Sequence, residues 1–567
     1  MRYYIKPYIK GAFALNDCEK LAELLFPDIT ETPAQYEEKY PARPLPEGAR
    51  VTRFAPSPTG FMHMGNMFPA FVDKLIAQSS GGVFYVRIED TDKKREVEDG
   101  VSAILNGLRA FGLEPDEGVL GFNFEQGVYG PYQQSKRRKI YQCYAKELVK
   151  NGLAYPCFCS EEALNTLRDE QESQNVNKGY YGPWAVCRDL SFEEQAAAIA
   201  QSKPYVLRLR SNGDENHRIV FEDLIKGKIE MPENNMDIVL LKTDGIPTYH
   251  FAHAVDDHLM RTTHVIRGDE WIASVPVHIA LFKACGFKLP KYAHISPLMK
   301  EDGGGKRKLS KRKDPEAAVS YFIENGYPKE SVLEYLLTLI NSNFEDWRKA
   351  NPEVPQSAFP FNLKKMSPSG ALFDLVKLTD VSKNVISVMT AEEVYEKTCQ
   401  WAAEYDKGLH SLLFKNPAYA KNILRIDRGT AKPRKDIAKW SEIKGYIEYF
   451  YDELYVPDYS LPGNITPADA AEILKTYLKI LNIDDDKDTW FNRIKDMCAE
   501  LGYTPSVKEY KQAPGDFKGH VGDVSTVIRL AVTSRHNTPD LHAIIQLIGG
   551  VRTKQRIQNA IDFLQRT

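Results

Sequence analysis

The chain has 567 residues, and its 74 Lys and Arg against 77 Asp and Glu give a net charge of −3 with histidine neutral. At 43% hydrophobic and 27% charged it has an ordinary globular composition, which excludes a mainly disordered or collagen-like chain. The near balance of charge excludes a histone-like global attraction to nucleic acid and leaves only local basic surfaces. At roughly 100–200 residues per domain, several domains are expected. No apolar run approaches the ~20 residues that span a bilayer, so no membrane partner is expected. The start, MRYYIKPYIKGAFALNDCEK, lacks an apolar h-region and a small-residue cleavage site, and the eight dispersed cysteines make no disulfide framework. Both features predict a reduced, cytoplasmic protein.

Residues 1–48 read as a separate leader. LAELLF (Leu21 to Phe26) has helical apolar spacing, and Pro41, Pro44 and Pro46 then set an extended connector. No chemistry is visible there, and a helix covering the next domain is expected. The pattern changes at Val51. RVTRFA alternates as a strand, PSPTG is a loop, and MGNMFPAFVDKLIAQSSGG follows as an apolar-periodic helix. Pro69 is tolerable only in that helix's first turn, and Gly81-Gly82 mark its end. VFYVRIEDT (Val83 to Thr91) reads as a second buried strand, so strand, helix and strand predict a βαβ unit and a parallel sheet.

A mixed region follows to Thr248, with strands predicted at PYVLRLR and DIVLL (Asp237 to Leu241). The apolar pattern returns in THVIRGDEW and VPVHIALFKACGF, which predict the other half of the sheet. Beyond a basic loop at 303–313 helical periodicity dominates, broken at PDYSLPGN and QAPGD. Thr466-Pro467 and Thr538-Pro539 are predicted helix starts.

Two segments carry candidate chemistry. In RFAPSPTGFMHMGN (Arg53 to Asn66) a loop between strand and helix presents free backbone N–H groups and a positive helix end, a natural phosphate site. Gly60 and Gly65 have half the spacing of a P-loop, but Asn66 stands where Lys is required and no G-x-G-x-x-G is present. The Walker and dinucleotide readings fail. What remains is a small-residue turn that lets His63 approach a nucleotide; a lone histidine in a turn is otherwise structural. In GGGKRKLSKRKD (Gly303 to Asp314), six of the eight residues from Lys306 to Lys313 are basic. Beside three glycines this predicts a mobile loop that closes on polyphosphate, against the blander readings of a solvated loop or a localisation patch.

Together, HMGN (His63 to Asn66) and KLSKR (Lys308 to Arg312) resemble the two signature sequences of class I aminoacyl-tRNA synthetases. RFAPSPTG, VRIEDTD, GPYxQSxR (Gly130 to Arg137), DGIPTYHFAHAVDDHLM and HVIRGDEW resemble, in that order, glutamyl-tRNA synthetases of the bacterial type. The resemblance is close over residues 50–395, looser over the C-terminal helices, and does not include the leader. Asn66 replaces the signature's usual final His, Lys308-Leu309 the commoner Lys-Met, Arg312 a terminal Ser, and His253 an Asn of many relatives.

The resemblance implies a multi-domain α/β plus all-α chain. A split Rossmann-like parallel-sheet catalytic domain (49–130 and 249–315, the latter with the signature loop) would follow the N-terminal extension (1–48). An inserted α/β acceptor-stem-binding domain (131–248), a helical stem-contact domain (316–390) and a helical anticodon-binding domain (391–567) would complete it. The implied activity is ATP-dependent activation of L-glutamate to glutamyl-adenylate and transfer to the 3′ end of tRNA(Glu), by a monomer, with Mg²⁺ accompanying ATP. Arg53 and Arg267 would clamp the two carboxylates, which a guanidinium matches bidentately. Glu89 would accept the ammonium, with Ala55, Ser57, Tyr249 and His253 completing the pocket. His63, Gly65, Lys308, Ser310 and Lys311 would contact ATP, His63 and Lys311 as the catalytic pair, and Glu270 and Trp271 would lie near the nucleotide. The rival readings are a small-molecule nucleotidyltransferase, a catalytically silent RNA-binding relative, and an enzyme that also charges tRNA(Gln).

Three further groups invite a reading. His250, His253 and His258, followed by His264, raise a metal site, but the strand- and turn-like alternation around them does not put them on one face. Cys157 and Cys159 lie two apart and Cys187 follows. The resemblance implies one structural Zn²⁺ there, with Asp189 where relatives carry His and Tyr181 as the alternative fourth ligand; otherwise these are core thiols. Between Lys415 and Lys444 basic residues are dense, and Tyr446, Tyr449, Phe450, Tyr451 and Tyr455 follow. That pattern suits stacked anticodon bases unless the rings are helix core.

Overall fold

The computed structural model describes residues 15–566 except 59, 61, 93–96, 98, 122 and 311. The leader forms two helices, α1 (Leu15–Leu25) and α2 (Pro33–Lys39). The apolar spacing predicts α1; α2 instead starts from a capping box, in which Thr32 and Gln35 satisfy each other's backbone N–H groups ahead of Pro33.

The predicted βαβ unit is β1 (Val51–Phe54), α3 (Met64–Gln78) and β2 (Val83–Val86), the strands parallel with Val51 opposite Val83. Pro69 is a correction: it sits six residues into α3, beyond the first turn. Having no N–H, it leaves the Gly65 carbonyl without its usual helical donor. At the other end of α3 a Cβ on residue 82 would lie 1.9 Å from the Arg50 carbonyl oxygen, so only glycine admits the approach of β2 to β1. After α4 (Gly100–Ala110), β3 (Glu117–Gly121) adds in parallel to β2, and β4 (Phe124–Gln126) closes that edge antiparallel.

Next come α5 (Arg138–Lys150), β5 (Ala154–Cys157), α6 (Glu161–Ser173), α7 (Phe192–Ala200), β6 (Val206–Leu209), β7 (Arg218–Asp223), β8 (Gly227–Pro232) and β9 (Val239–Leu241). Strands β5, β6 and β9 form one antiparallel sheet over a small core of Tyr155, Cys157, Tyr180, Ala185 and Cys187. The β7–β8 hairpin of segment 131–248 pairs with a different sheet, the one that holds the second parallel pair of strands.

That pair and its helices are α8 (Tyr249–Leu259), β10 (His264–Gly268), α9 (Val275–Ala284) and β11 (Lys291–Ile295). β10 and β11 are parallel, and β11 meets β7 at Tyr292 and Asp223. Residues 249–259 are a helix, which corrects the strand-and-turn expectation. The helical period is hidden because His253, Asp256 and Asp257 are buried beside Phe251, Val255 and Leu259. The two halves join where Thr263 N–H donates to the Val51 carbonyl at 3.0 Å and Val51 N–H to the Thr263 hydroxyl at 2.8 Å. The sheet therefore reverses its order between β1 and β10, and the crevice at their carboxyl ends is the place for a ligand.

The basic segment is another correction. β12 (Leu298–Asp302) and β13 (Gly305–Lys308) form an antiparallel hairpin, not an open loop, with Gly303 and Gly304 at φ 57° and 86° in the tight turn. Asp314 pins its far end, accepting Arg307 at 2.6 and 2.8 Å and the Ser310 N–H at 2.9 Å.

The leader lies against this domain. Lys146 on α5 donates to Glu23 and to the Phe26 and Ile29 carbonyls, and Arg43 donates to Glu117 and the Met260 carbonyl. Glu37 accepts from Arg261 at 2.7 Å and pairs with His258 at 2.6 Å, at the end of α8.

Residues 322–332 and 375–567 form a second compact unit of helices. Thr466 caps the helix Pro467–Ile480 as predicted, whereas the last but one helix starts at Leu541 with Asp540 as its cap, past Thr538-Pro539. Tyr449, Phe450 and Tyr451 are core, and Tyr446 and Tyr455 pack against it. These rings hold helices together and are not a stacking platform.

Candidate active site

A cleft of about 1370 Å³ opens at the carboxyl ends of β1 and β10. Twelve predicted site residues line it: Arg53, Ala55, Ser57, His63, Gly65, Glu89, Tyr249, Arg267, Glu270, Trp271, Lys308 and Ser310. Lys311 lies outside the described residues. His253 does not reach the cleft. It is wholly buried beneath Tyr249, whose ring stacks on it at 5.9 Å, with Nδ1 2.8 Å from Asp257 and Nε2 3.2 Å from the Tyr292 hydroxyl. Burial pulls its pKa down to about 4 against the pull of Asp257, so the ring is neutral.

The two guanidiniums are held in different ways. Arg53 donates to the Asp257 carboxylate at 3.3 Å and to the Ile266 carbonyl at 3.4 Å. Asp257 also accepts Arg87 at 2.6 Å, and Arg87 turns its other nitrogen to Glu89 at 3.1 Å. Burial pushes the Glu89 carboxyl up, while Arg87 and Arg53 pull it down. Behind them Asp256 accepts from Arg137 at 2.6 Å, Tyr141 at 2.8 Å and Gln134 at 2.9 Å. Buried charges on this scale persist only when paired.

Arg267 has no carboxylate partner among the described residues. Its Nε donates to His294 at 3.0 Å, and one Nη lies 3.2 Å from His278 Nδ1. His294 in turn lies 2.6 Å from Asp223. Burial drives both histidines below the ordinary imidazole range, so they serve as neutral acceptors and leave the Arg267 charge for a ligand.

His63 caps α3, its carbonyl accepting the Asn66 and Met67 N–H groups at 2.8 and 2.9 Å. A Cβ on residue 65 would sit 2.9 Å from the His63 ring, so Gly65 is what lets the imidazole fold over the first turn. A helix start, an imidazole and the Lys308–Ser310 strand end converge there, a combination suited to phosphate. Sequence reasoning does not find Arg87, Asp257, His278, His294 or Asp223. The one visible signal is Arg87 itself, a charge between the apolar run VFYV and Ile88.

The only metal-compatible group among the described residues is Cys157, Cys159 and Cys187, with sulfurs within 4.8 Å of one another. Hydrogen bonds from Cys159 and Cys187 hold the Cys157 thiol below its ordinary range. Neither expected fourth ligand is there. Asp189 is 86% exposed and paired with Arg210, and the Tyr181 hydroxyl donates to the Asn177 carbonyl. The hydroxyl beside the thiols is that of Tyr180, 3.4 Å from Cys159 and accepting the Cys187 N–H at 2.9 Å. The four histidines form no metal-compatible cluster among the described residues: His250 faces His278, His258 faces Glu37 and His264 faces Thr263.

The family model of tRNA synthetases class I (E and Q), catalytic domain, matches residues 50–359. A glutamate–tRNA ligase from Clostridium perfringens (strain 13 / Type A) is 50% identical over 95% of this chain and 100% of its own length. One from Sorangium cellulosum (strain So ce56) is 46% identical over 94% of this chain and 99% of its own. A crystal structure of a glutamate tRNA ligase from Elizabethkingia meningosepticum, in complex with its amino acid, superposes with a TM-score of 0.73 at 28% identity, covering 91% of this chain and 99% of that one. With the signature helix start, the Lys308–Ser310 strand end and the paired arginines in one cleft, the chain belongs to the class I tRNA synthetases of the E and Q group, in the glutamate–tRNA ligase family.

Proposed function

We propose that this chain activates L-glutamate with ATP to glutamyl-adenylate and transfers the glutamyl group to the 3′ end of tRNA(Glu). One observation carries the reading: Arg53, Arg267 and Glu89 open into the same cleft. Free glutamate offers two carboxylates and one ammonium, and two guanidiniums with one carboxylate complement that pattern. Arg53 and Arg267 clamp the carboxylates, Glu89 takes the ammonium, and Ala55, Ser57 and Tyr249 shape the pocket. His63, Gly65, Lys308, Ser310 and Lys311 meet the phosphates, with Glu270 and Trp271 towards the nucleoside.

In the first step a glutamate α-carboxylate oxygen attacks the α-phosphorus of ATP in line, and the bond to pyrophosphate breaks. The carboxylate is already a nucleophile, so no general base is needed. In the second step a terminal ribose hydroxyl of tRNA attacks the mixed anhydride and AMP leaves. Positioning and the cancellation of developing phosphate charge supply the acceleration. Mg²⁺ enters with ATP as its counter-ion.

The β5–β6–β9 region serves the acceptor stem, residues 316–390 the stem beyond it, and 391–567 the anticodon. One structural Zn²⁺ is held by Cys157, Cys159, Cys187 and the Tyr180 hydroxyl, a donor set of thiolates and one oxygen that fits four-coordinate zinc. A silent RNA-binding relative would have no use for three buried charges turned into a cleft.

Glutamate-dependent ATP–pyrophosphate exchange, measured with and without tRNA, together with charging of tRNA(Glu) against tRNA(Gln), tests the proposal. No exchange and no charging under either condition would overturn it.

A further inference from the structure

We propose that the amino-terminal edge of the catalytic sheet holds a second anion site, for a small phosphate-bearing ligand of nucleotide size. A cleft of about 1260 Å³ opens there, nearly the volume of the catalytic cleft, at the opposite ends of the same strands. Arg50 directly precedes β1, and His264 and Lys291 are register partners at the first positions of β10 and β11. Adjacent strand starts therefore set three basic side chains along one edge. Lys288, from the turn before β11, and Lys364 add two more to the lining.

These cations are not balanced locally. None of Arg50, Lys288, Lys291 and Lys364 is ion-paired among the described residues. The lining holds one carboxylate, Asp257, and it is already taken up by Arg53 and Arg87. Burial, helped by the Arg50 and Lys291 charges, pulls the His264 pKa down to about 4, as expected where positive groups crowd a half-buried imidazole. Walls of low dielectric around charge of one sign concentrate anions. Leu289, Pro290 and Phe361 also line the cleft and offer apolar contact to a flat group beside the phosphates. A walled cleft, unlike an open basic stripe, suits a compact ligand better than the backbone of a duplex.

Calorimetric titration of the full chain with inorganic tripolyphosphate tests this. Two binding events are expected in the wild type, one in each cleft. Arg50→Ala with Lys291→Ala should abolish one of them. Lys288→Glu with Lys364→Glu, both on the exposed rim where folding is not at stake, should weaken the same event ~tenfold or more. In the wild type the His264 ring pKa, followed by NMR, should rise as tripolyphosphate binds. A single event insensitive to both pairs of substitutions would overturn the site. Loss of tRNA affinity in both variants with tripolyphosphate binding intact would make the cleft an RNA-backbone contact and overturn the small-ligand assignment.

Discussion

The Arg87 guanidinium donates to the Asp257 carboxylate at 2.6 Å, with both side chains sealed from solvent. Arg53 shares the same carboxylate, and Arg87 also holds Glu89. One buried acid therefore fixes one cation of the cleft, Arg53, directly and its carboxylate, Glu89, at one remove. Asp257→Asn preserves the shape and removes the charge, leaving two buried arginines short of a partner. A loss of ~3–5 kcal/mol in denaturant unfolding is expected, with a raised KM for glutamate. Wild-type stability in that variant would mean that Asp256 and Glu89 suffice.

Acid should weaken the fold in two windows. His253 and His264 are pulled down to about 4 by burial, against roughly 6.5 in an unfolded chain. They are neutral in the fold, so their contribution is complete above about pH 6.5 and is lost as pH falls towards 4. Asp257 is held well below the carboxylate range, where Arg87 and Arg53 overcome its burial, so its contribution is lost only below about pH 4. Thermal midpoints from pH 7.5 to 4.5 should fall, and His253→Asn should flatten part of that slope. The same slope in both proteins would remove His253 from the account.

Truncating either arginine of the clamp should act on glutamate and not on ATP. Arg53→Ala or Arg267→Ala leaves a carboxylate without its fork, which raises the KM for glutamate or lowers kcat by ~10²-fold or more in kcat/KM. His294→Ala removes the acceptor that orients Arg267 and should give a smaller shift in the same direction. Unchanged glutamate kinetics in both arginine variants would place the pocket elsewhere.

Lys311 follows a strand end that Asp314 fastens through Arg307 and the Ser310 N–H. In the proposed reaction the Lys311 cation stabilises charge that develops on the departing pyrophosphate. Lys311→Ala should lower kcat by ~10²-fold or more with the fold intact, read by steady-state kinetics and circular dichroism. Wild-type kcat would end this role.

Elemental analysis of protein purified without chelator should return close to one zinc per chain. Cys187→Ser should lose it, Tyr180→Phe should weaken retention against a chelator, and Asp189→Ala should change nothing, because Asp189 is exposed and pairs with Arg210. Zinc well below one per chain in the wild type would eliminate the site.

Much of the catalytic cleft was legible because its parts are local in sequence. HMGN and KLSKR are short contiguous runs that carry the likeness to the two family signatures, and twelve of the residues that likeness implies meet in one place. What was not legible depends on distance or on inverted polarity. The union of Asp223 with His294 spans 71 residues and leaves no local trace. α8 conceals its period because its inward face carries histidine and aspartate. Tyr180 and Tyr181 differ by one step in an irregular segment, where no periodicity says which ring turns inward. The aromatic run at 446–455 is the reverse case, since its composition suits either stacking or packing and only the surrounding helices decide.

The separation of Arg53 and Arg87 from Asp257, by 204 and 170 residues, also has a meaning in time. At ~5–20 residues per second on a ribosome, both arginines emerge on the order of ten to forty seconds before their acid exists. During that interval β1 and β2 cannot close over them without burying charge that lacks its shared acid. The first half of the sheet must therefore wait, with its guanidiniums in water, until α8 has been synthesised. A chain interrupted anywhere short of residue 257 is left with two arginines that lack the carboxylate they share.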